Sequence, residues 1–152
     1  MNKKQHWAWA AISGSAALLI GALLFQYVGG LAPCKMCIWQ RWPHGIAIAL
    51  GLVFVMTRHP AAALVAAVSM FVGAGIGMYH AGVEQGWWQG PSTCTAGPVD
   101  GQSASDLLDQ ILNTPLVRCD EIAWSMIGIS MAGWNAIFSL GLALVWIRVA
   151  RN

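Results

Sequence analysis

Polar positions thin out four times along this chain. Trp7 to Tyr27 carries no charge, Cys37 to Met56 carries only Arg41, Ala61 to Tyr79 is built largely of Ala, Val and Gly, and Ser130 to Ile147 has Asn135 as its main polar residue. Crossing a hydrocarbon layer of roughly 30 Å takes about 20 mostly apolar helical residues. Backbone groups in lipid must pair within their own segment, and these stretches are too long and too evenly apolar for barrel strands. The pattern therefore predicts helical spans at 7–27, 37–56, 61–79 and 130–147, separated by a short loop at 28–36 and a long one at 81–129. The expected architecture is an all-α membrane protein, a single domain over residues 1–152, folded as a four-transmembrane-helix bundle. Inside the long loop, Ser103 and Asp106 have the form of a capping box. Leu107, Leu108, Ile111 and Leu112 then share a helical face opposite Asp106 and Asp109. A short helix is expected there, lying either on the membrane surface or against the protein.

Composition supports the membrane reading. Charged residues are 9% and apolar ones 57% of the chain, against about 25% charged in a soluble domain. That excludes a disordered chain. The net charge of +2, with no basic stripe, offers nothing to nucleic acid.

The placement of charge sets the orientation. All six acids lie between Glu84 and Glu121, whereas Lys3, Lys4, Arg58, Arg148 and Arg151 flank the spans on the opposite side. The positive-inside rule puts both termini and the Arg58 turn in the cytoplasm and both loops outside. All nine tryptophans fall near span ends or in the long loop, where an aromatic belt belongs. Lys3-Lys4 before an apolar run also has the outline of a signal peptide, and Leu31-Ala32-Pro33-Cys34 faintly resembles a lipoprotein cleavage site. Pro33 and three further spans point instead to an uncleaved first helix.

The chemistry lies in four cysteines, Cys34, Cys37, Cys94 and Cys119, all outside or at the outer interface. An oxidising compartment suits disulfides. Cys34-Lys35-Met36-Cys37 has the C-x-x-C spacing of redox dithiols, and Cys94 and Cys119 can form a second pair. Each pair also has a plainer reading. A Cys94–Cys119 bridge could simply hold the loop, worth about 3 kcal/mol, and the four cysteines could make a zinc site. Haem attachment is excluded because Ile38, not His, follows Cys37. Cys37 opens the second span, with Arg41 four residues on and so on the same face. A helix start and a cation both favour thiolate, so Cys37 is expected to be the low-pKa sulfur and the better leaving group.

An arginine at that depth is costly and marks function, with snorkelling as the alternative. Gln40, Arg41 and His44 add polar groups where an apolar, carbonyl-bearing ligand could dock, and Pro43 could kink the helix there. Gly73 and Gly77 allow close helix packing. No haem, dinucleotide or iron–sulfur motif offers an exit for electrons, so a lipid-soluble quinone fits best.

Pro33-Cys34-Lys35-Met36-Cys37-Ile38-Trp39-Gln40-Arg41, with a distal cysteine pair and four spans, resembles the disulfide bond formation protein B family over nearly the whole chain. The segment Ile127 to Asn135 also looks like the approach to the fourth helix in some branches. The resemblance implies a relay. A reduced DsbA-like periplasmic partner of thioredoxin fold attacks the Cys94–Cys119 disulfide at Cys94 and frees Cys119. Cys119 then attacks Cys34 and releases Cys37, and electrons pass to ubiquinone or menaquinone from the membrane pool, with Arg41 stabilising negative charge. His80 resembles a histidine near the family's quinone site. His44 reads as a helix-facing polar contact, Glu84 as a solvated loop acid, and Trp87 and Trp88 as interface anchors. Two alternatives stand beside this. One is a non-catalytic tetraspanning scaffold with structural disulfides. The other resembles vitamin K epoxide reductase, although there the C-x-x-C falls late in the bundle.

Overall fold

The computed structural model describes residues 2–92, 94, 103–113 and 117–151, with backbone alone at 106, 107, 110, 111 and 113. Four long helices carry the fold: α1 (Lys3–Tyr27), α2 (Lys35–Thr57), α3 (Pro60–Glu84) and α5 (Met131–Arg151). A short helix α4 (Ala104–Asn113) and a two-strand hairpin, β1 (Ser125–Met126) and β2 (Ile129–Ser130), interrupt the connection from α3 to α5.

The helix ends follow from local chemistry. Asn2 caps α1 in a reciprocal box with Gln5. Arg58, in the left-handed region at φ 59°, ends α2. His59 then caps α3, with Pro60 at its first position, where a missing N–H does no harm.

The long helices form a closed ring in the order α1, α2, α3, α5, the tightest packing being between α3 and α5. Small residues make that closeness possible. Ala8, Ala11, Ala47, Ala63, Ala66, Ala67 and Ala143 fill the core around Met70, Phe54 and Trp146. A side-chain carbon on Gly77 would lie 3.0 Å from the backbone of Ala132 and Ala136, and one on Gly73 3.1 Å from Pro43. The Gly73–Gly77 pair is thus a packing device. The outward faces are apolar: Ile20, Leu24, Val68 and Leu144 are all exposed, as lipid-facing side chains are. By length and composition α1, α3 and α5 qualify as membrane spans, so this is a multi-pass helical membrane protein. Helix α2, whose first turns carry Gln40, Arg41 and His44, is not among them.

Several expectations change. Helix α3 does not stop near Tyr79 but runs to Glu84, so residues 81–84 are helix rather than loop. Trp146 lies near a helix end yet is fully buried against Gly51 and Ile12, so it belongs to the core and not to an aromatic belt. The hairpin was not foreseen. Its turn residues Ile127 and Gly128 both have positive φ, the geometry of a tight two-residue hairpin, and Ile127 adopts it in spite of its β-branch. Helix α4 forms where the amphipathic pattern predicts it, with Leu108 and Leu112 exposed. The side chains of Asp106, Leu107 and Ile111, and hence the capping box and shared face, lie outside the described residues.

Candidate active site

The C-x-x-C motif opens α2 in a specific way. Cys34 is the N-cap, with extended backbone, and its sulfur accepts the N–H of Cys37 at 3.2 Å. Caps are usually Ser, Thr, Asp or Asn, whose oxygen meets an otherwise unpaired N–H of the first turn. Here the spacing of three puts a sulfur in that role. The two sulfurs lie 2.9 Å apart. A tetrahedral zinc with bonds of about 2.3 Å would hold two sulfurs about 3.8 Å apart, so the pair as it stands is in direct sulfur contact rather than at metal-bridged spacing.

Helix α3 brings His80 to the same point, because it continues past its apolar stretch. Nε2 of His80 is 3.5 Å from the Cys34 sulfur, and its Nδ1 is 2.8 Å from Nε2 of Gln40. Glu84, one turn later, places Oε1 3.8 Å from His80 Nε2. Its side chain is 6% exposed and so faces into the bundle. The expectation of a solvated loop acid is therefore corrected: the longer helix turns Glu84 inward onto the face of His80.

The second pair is a disulfide. Cys94 and Cys119 are bridged, with Cα atoms 5.4 Å apart, and the N–H of Cys119 donates to the Cys94 carbonyl at 2.7 Å. This bridge also removes the four-cysteine zinc reading. Cys94 and Cys119 are buried in one cluster with Cys34, Met36 and Val83, while Cys37 and Val117 pack against it. The backbone carbonyl of Cys119 faces the His80 ring. Residues distant in sequence thus place both cysteine pairs at one end of the bundle, opposite the end where Arg148 lies over the ring of Trp7.

The balance between Cys34 and Cys37 differs from expectation. Cys34 lies ahead of the apolar stretch of α2, and its ionisation is pushed down from 9.0 to about 4. The largest cause is the neighbouring Cys37 thiol, which donates to the anion. Burial opposes this, and His80 and the Cys37 N–H add to it. The helix start and Arg41 by themselves favour Cys37. In the structure the N-cap position, and with it the free N–H, belongs to Cys34. Arg41 turns toward α1, its Nη1 donating to Gln26 at 2.7 Å.

Beside the sulfurs is a cavity of about 290 Å³, close to the lower end of ligand pockets at roughly 300–1,000 Å³. Its wall is mostly apolar, with Ala17 and Phe25 from α1 and Phe138 from α5, and its polar lining includes Cys37, Gln40, Arg41, His80, Glu84, Arg118 and Glu121. An apolar ring bearing carbonyl groups fits that wall: Arg41 only donates, and Cys37 lies on it. His44, expected to make a helix-facing polar contact, has Nε2 3.0 Å from Asn135 Oδ1 and 3.3 Å from Ser139. Trp88 donates to the Tyr79 carbonyl and covers Gly82, so it packs on the end of α3, while Trp87 is exposed beside it. Gln26 and Glu84 were missed as site residues. Glu84 was legible as i+4 from His80 had the helix been continued.

These features can be set beside known proteins. A family model described as disulfide bond formation protein DsbB matches residues 4–149. The chain belongs to the DsbB family. It is 32% identical to disulfide bond formation protein B of Albidiferax ferrireducens over 99% of this chain and 92% of that one. With the protein of the same name from Pasteurella multocida it shares 35% identity, over 95% and 87% of the two chains. For that of Stutzerimonas stutzeri the identity is 30%, over 93% of each. No solved structure matches the chain. Membership of the DsbB family makes this a membrane protein of disulfide bond formation, and the paired cysteines are its available redox chemistry.

Proposed function

We propose that this protein spans a bacterial inner membrane four times with both termini in the cytoplasm, oxidises a periplasmic thioredoxin-fold dithiol partner of the DsbA type, and passes the electrons to ubiquinone or menaquinone. One observation carries the reading: a bridged cysteine pair and a second pair in sulfur contact share one buried cluster, and that cluster borders an apolar cavity. Arg118, paired with Asp120, and Glu121 flank Cys119 on the outer side.

The exchange begins with a partner thiolate attacking Cys94, which breaks the Cys94–Cys119 bond and frees Cys119 as thiolate. Cys119 attacks Cys34 of an oxidised Cys34–Cys37 pair, and Cys37 leaves with the electron pair. The partner's second thiolate then attacks its own sulfur in the mixed disulfide. Cys94 is released to re-form its bond with Cys119, and Cys34 leaves as thiolate. The partner is now oxidised and the C-x-x-C pair holds two electrons. The hydrogen-bond donors on Cys34 favour it as the departing sulfur in this last step. Cys94 is 1% exposed, so its sulfur must become accessible before a partner thiolate can reach it. A bound quinone supplies a two-electron, two-proton acceptor. Arg41, held by Gln26, places a fixed positive charge on the cavity wall, and Cys37 lies on that wall as the contacting sulfur.

The test is quinone reduction by the purified protein with a reduced thioredoxin-fold partner, run across single variants of the four cysteines. Cys37→Ser should abolish quinone reduction while the distal pair still exchanges with the partner. Unchanged turnover in that variant would sink the proposed electron exit. If all four cysteines keep their redox state when partner is added, the protein is a scaffold with structural cysteines.

A further inference from the structure

Four polar side chains that no motif connects lead across the bundle to Cys34: His44 and Gln40 on α2, Asn135 on α5 and His80 on α3. Their direction follows from one fixed point. The Met36 carbonyl can only accept, so the Gln40 atom 3.3 Å from it is the amide nitrogen. That nitrogen is also 2.8 Å from Nδ1 of His80 and donates to it. Nδ1 is then the bare nitrogen of a neutral ring, and Nε2 carries the hydrogen that faces the Cys34 sulfur. Protonating Nδ1 would set two donors against each other.

The same logic runs backward along the chain. With its nitrogen committed, Gln40 presents Oε1 to Nδ2 of Asn135 at 2.8 Å. Asn135 then presents Oδ1 to His44, whose Nε2 must be the N–H. Every donor points toward Cys34. Gln40, His44 and His80 are all buried, so reversing one link would bring two like groups together in a medium of low dielectric. Of the groups facing the His80 ring, Glu84 and the two C-x-x-C cysteines are ionisable, Cys119 offers only its carbonyl, and α5 contributes no charge.

We propose that Gln40, Asn135 and His44 are positioning residues that lock His80 as an Nε2–H donor to the Cys34 sulfur, so that His80 holds an anion there and does not act as the base that removes its proton. The consequence for redox poise rests on the thiol-oxidase reading above; the lock itself does not.

The experiment uses full-length protein, ¹⁵N-labelled at its four histidines, in lipid nanodiscs. His80→Gln identifies the ring signals. In the wild type, His80 should show hydrogen on Nε2 and a bare Nδ1 throughout about pH 5–8, the range in which a free imidazole titrates. Gln40→Met should remove that preference, giving mixed tautomers or a protonated ring within the same range. In parallel, the Cys34–Cys37 pair is equilibrated with glutathione. Gln40→Met and Asn135→Leu should shift it five- to tenfold toward the disulfide, about 20–30 mV, and Asn135→Gln, which keeps both amide ends, should restore part of the shift. A wild-type ring carrying hydrogen on Nδ1 at neutral pH overturns the proposal, whether or not any variant folds. So does a tautomer unchanged in Gln40→Met. If the spectra are as expected but the pair is inert to glutathione, the lock stands and the thiol-oxidase reading falls.

Discussion

Replacing His80 with Phe keeps a ring in the site and deletes one of three donors to the Cys34 sulfur. The others are the Cys37 thiol at 2.9 Å and the Cys37 N–H at 3.2 Å; His80 Nε2 lies at 3.5 Å. A hydrogen bond to a charged group contributes about 1.5–3 kcal/mol, and one pKa unit is about 1.36 kcal/mol. The Cys34 midpoint should therefore rise by about one to two units above its lowered value. Cys37→Ala removes the largest contributor and should raise it further. The sign for redox follows. Ionisation of Cys34 stabilises the reduced pair. That advantage is complete above the ordinary thiol range near 9.0 and is lost as pH falls through about 4. In His80→Phe the disulfide is accordingly favoured, and the potential falls by about 30–65 mV. The assay is thiolate ultraviolet absorbance against pH in a Cys94→Ala, Cys119→Ala background, where the C-x-x-C pair alone titrates. A midpoint in His80→Phe equal to that of the parent, or a smaller rise in Cys37→Ala than in His80→Phe, refutes the account of the Cys34 anion.

The other predictions concern the cavity, the packing and the orientation. Arg41→Ala should raise KM for quinone about tenfold while leaving KM for the partner within twofold, since a charge-assisted contact contributes about 1.5–3 kcal/mol; steady-state kinetics with each substrate varied decides it, and equal losses would point to a folding role. Gly77→Ala should destabilise by about 1–3 kcal/mol, because its new carbon meets the α5 backbone rather than a yielding side chain. Gly75→Ala meets nothing within 4 Å and should be neutral or stabilising by up to about 1 kcal/mol; thermal unfolding in detergent compares the two. A cysteine placed at Thr57 in a background without native cysteines should resist a membrane-impermeant maleimide in intact spheroplasts and react after lysis. Labelling from outside would reverse the topology.

Much of this architecture was legible because the bilayer imposes a simple code. Apolar runs of about 20 residues mark helices whatever their partners, so α1, α2 and α5 appear close to where hydropathy places them. The same code misplaces the end of α3. His80 and Glu84 are polar, and hydropathy reads polarity as the end of a span, whereas the helix continues because those side chains find partners inside the bundle. Trp146 fails for the converse reason: an aromatic near a helix end is ordinarily an interface residue, but Gly51 leaves room for it in the core. The C-x-x-C motif and Arg41 were visible as chemistry. Which sulfur receives the N–H was not, because that turns on a one-residue difference in where the helix begins.

That one-residue difference organises the site. A sulfur at the N-cap has its lone pairs turned to the first turn, so the helix itself fixes Cys34 in place; both sulfurs line the cavity, and Cys37, within the helix, is the less buried of the two. The two sulfurs therefore divide two tasks. One is held by the thiol and N–H of Cys37 and by a histidine whose orientation is set from across the bundle, where charge is stabilised without a counter-ion that would have to be desolvated. The other faces apolar space at the level where a lipid-soluble acceptor would arrive. A cation placed directly on Cys37 would hold its charge as firmly as the donors hold that of Cys34, and a sulfur that must give up its electrons gains nothing from that. The turn of Arg41 toward Gln26 is consistent with this division: the positive charge is fixed on the cavity wall rather than committed to the sulfur.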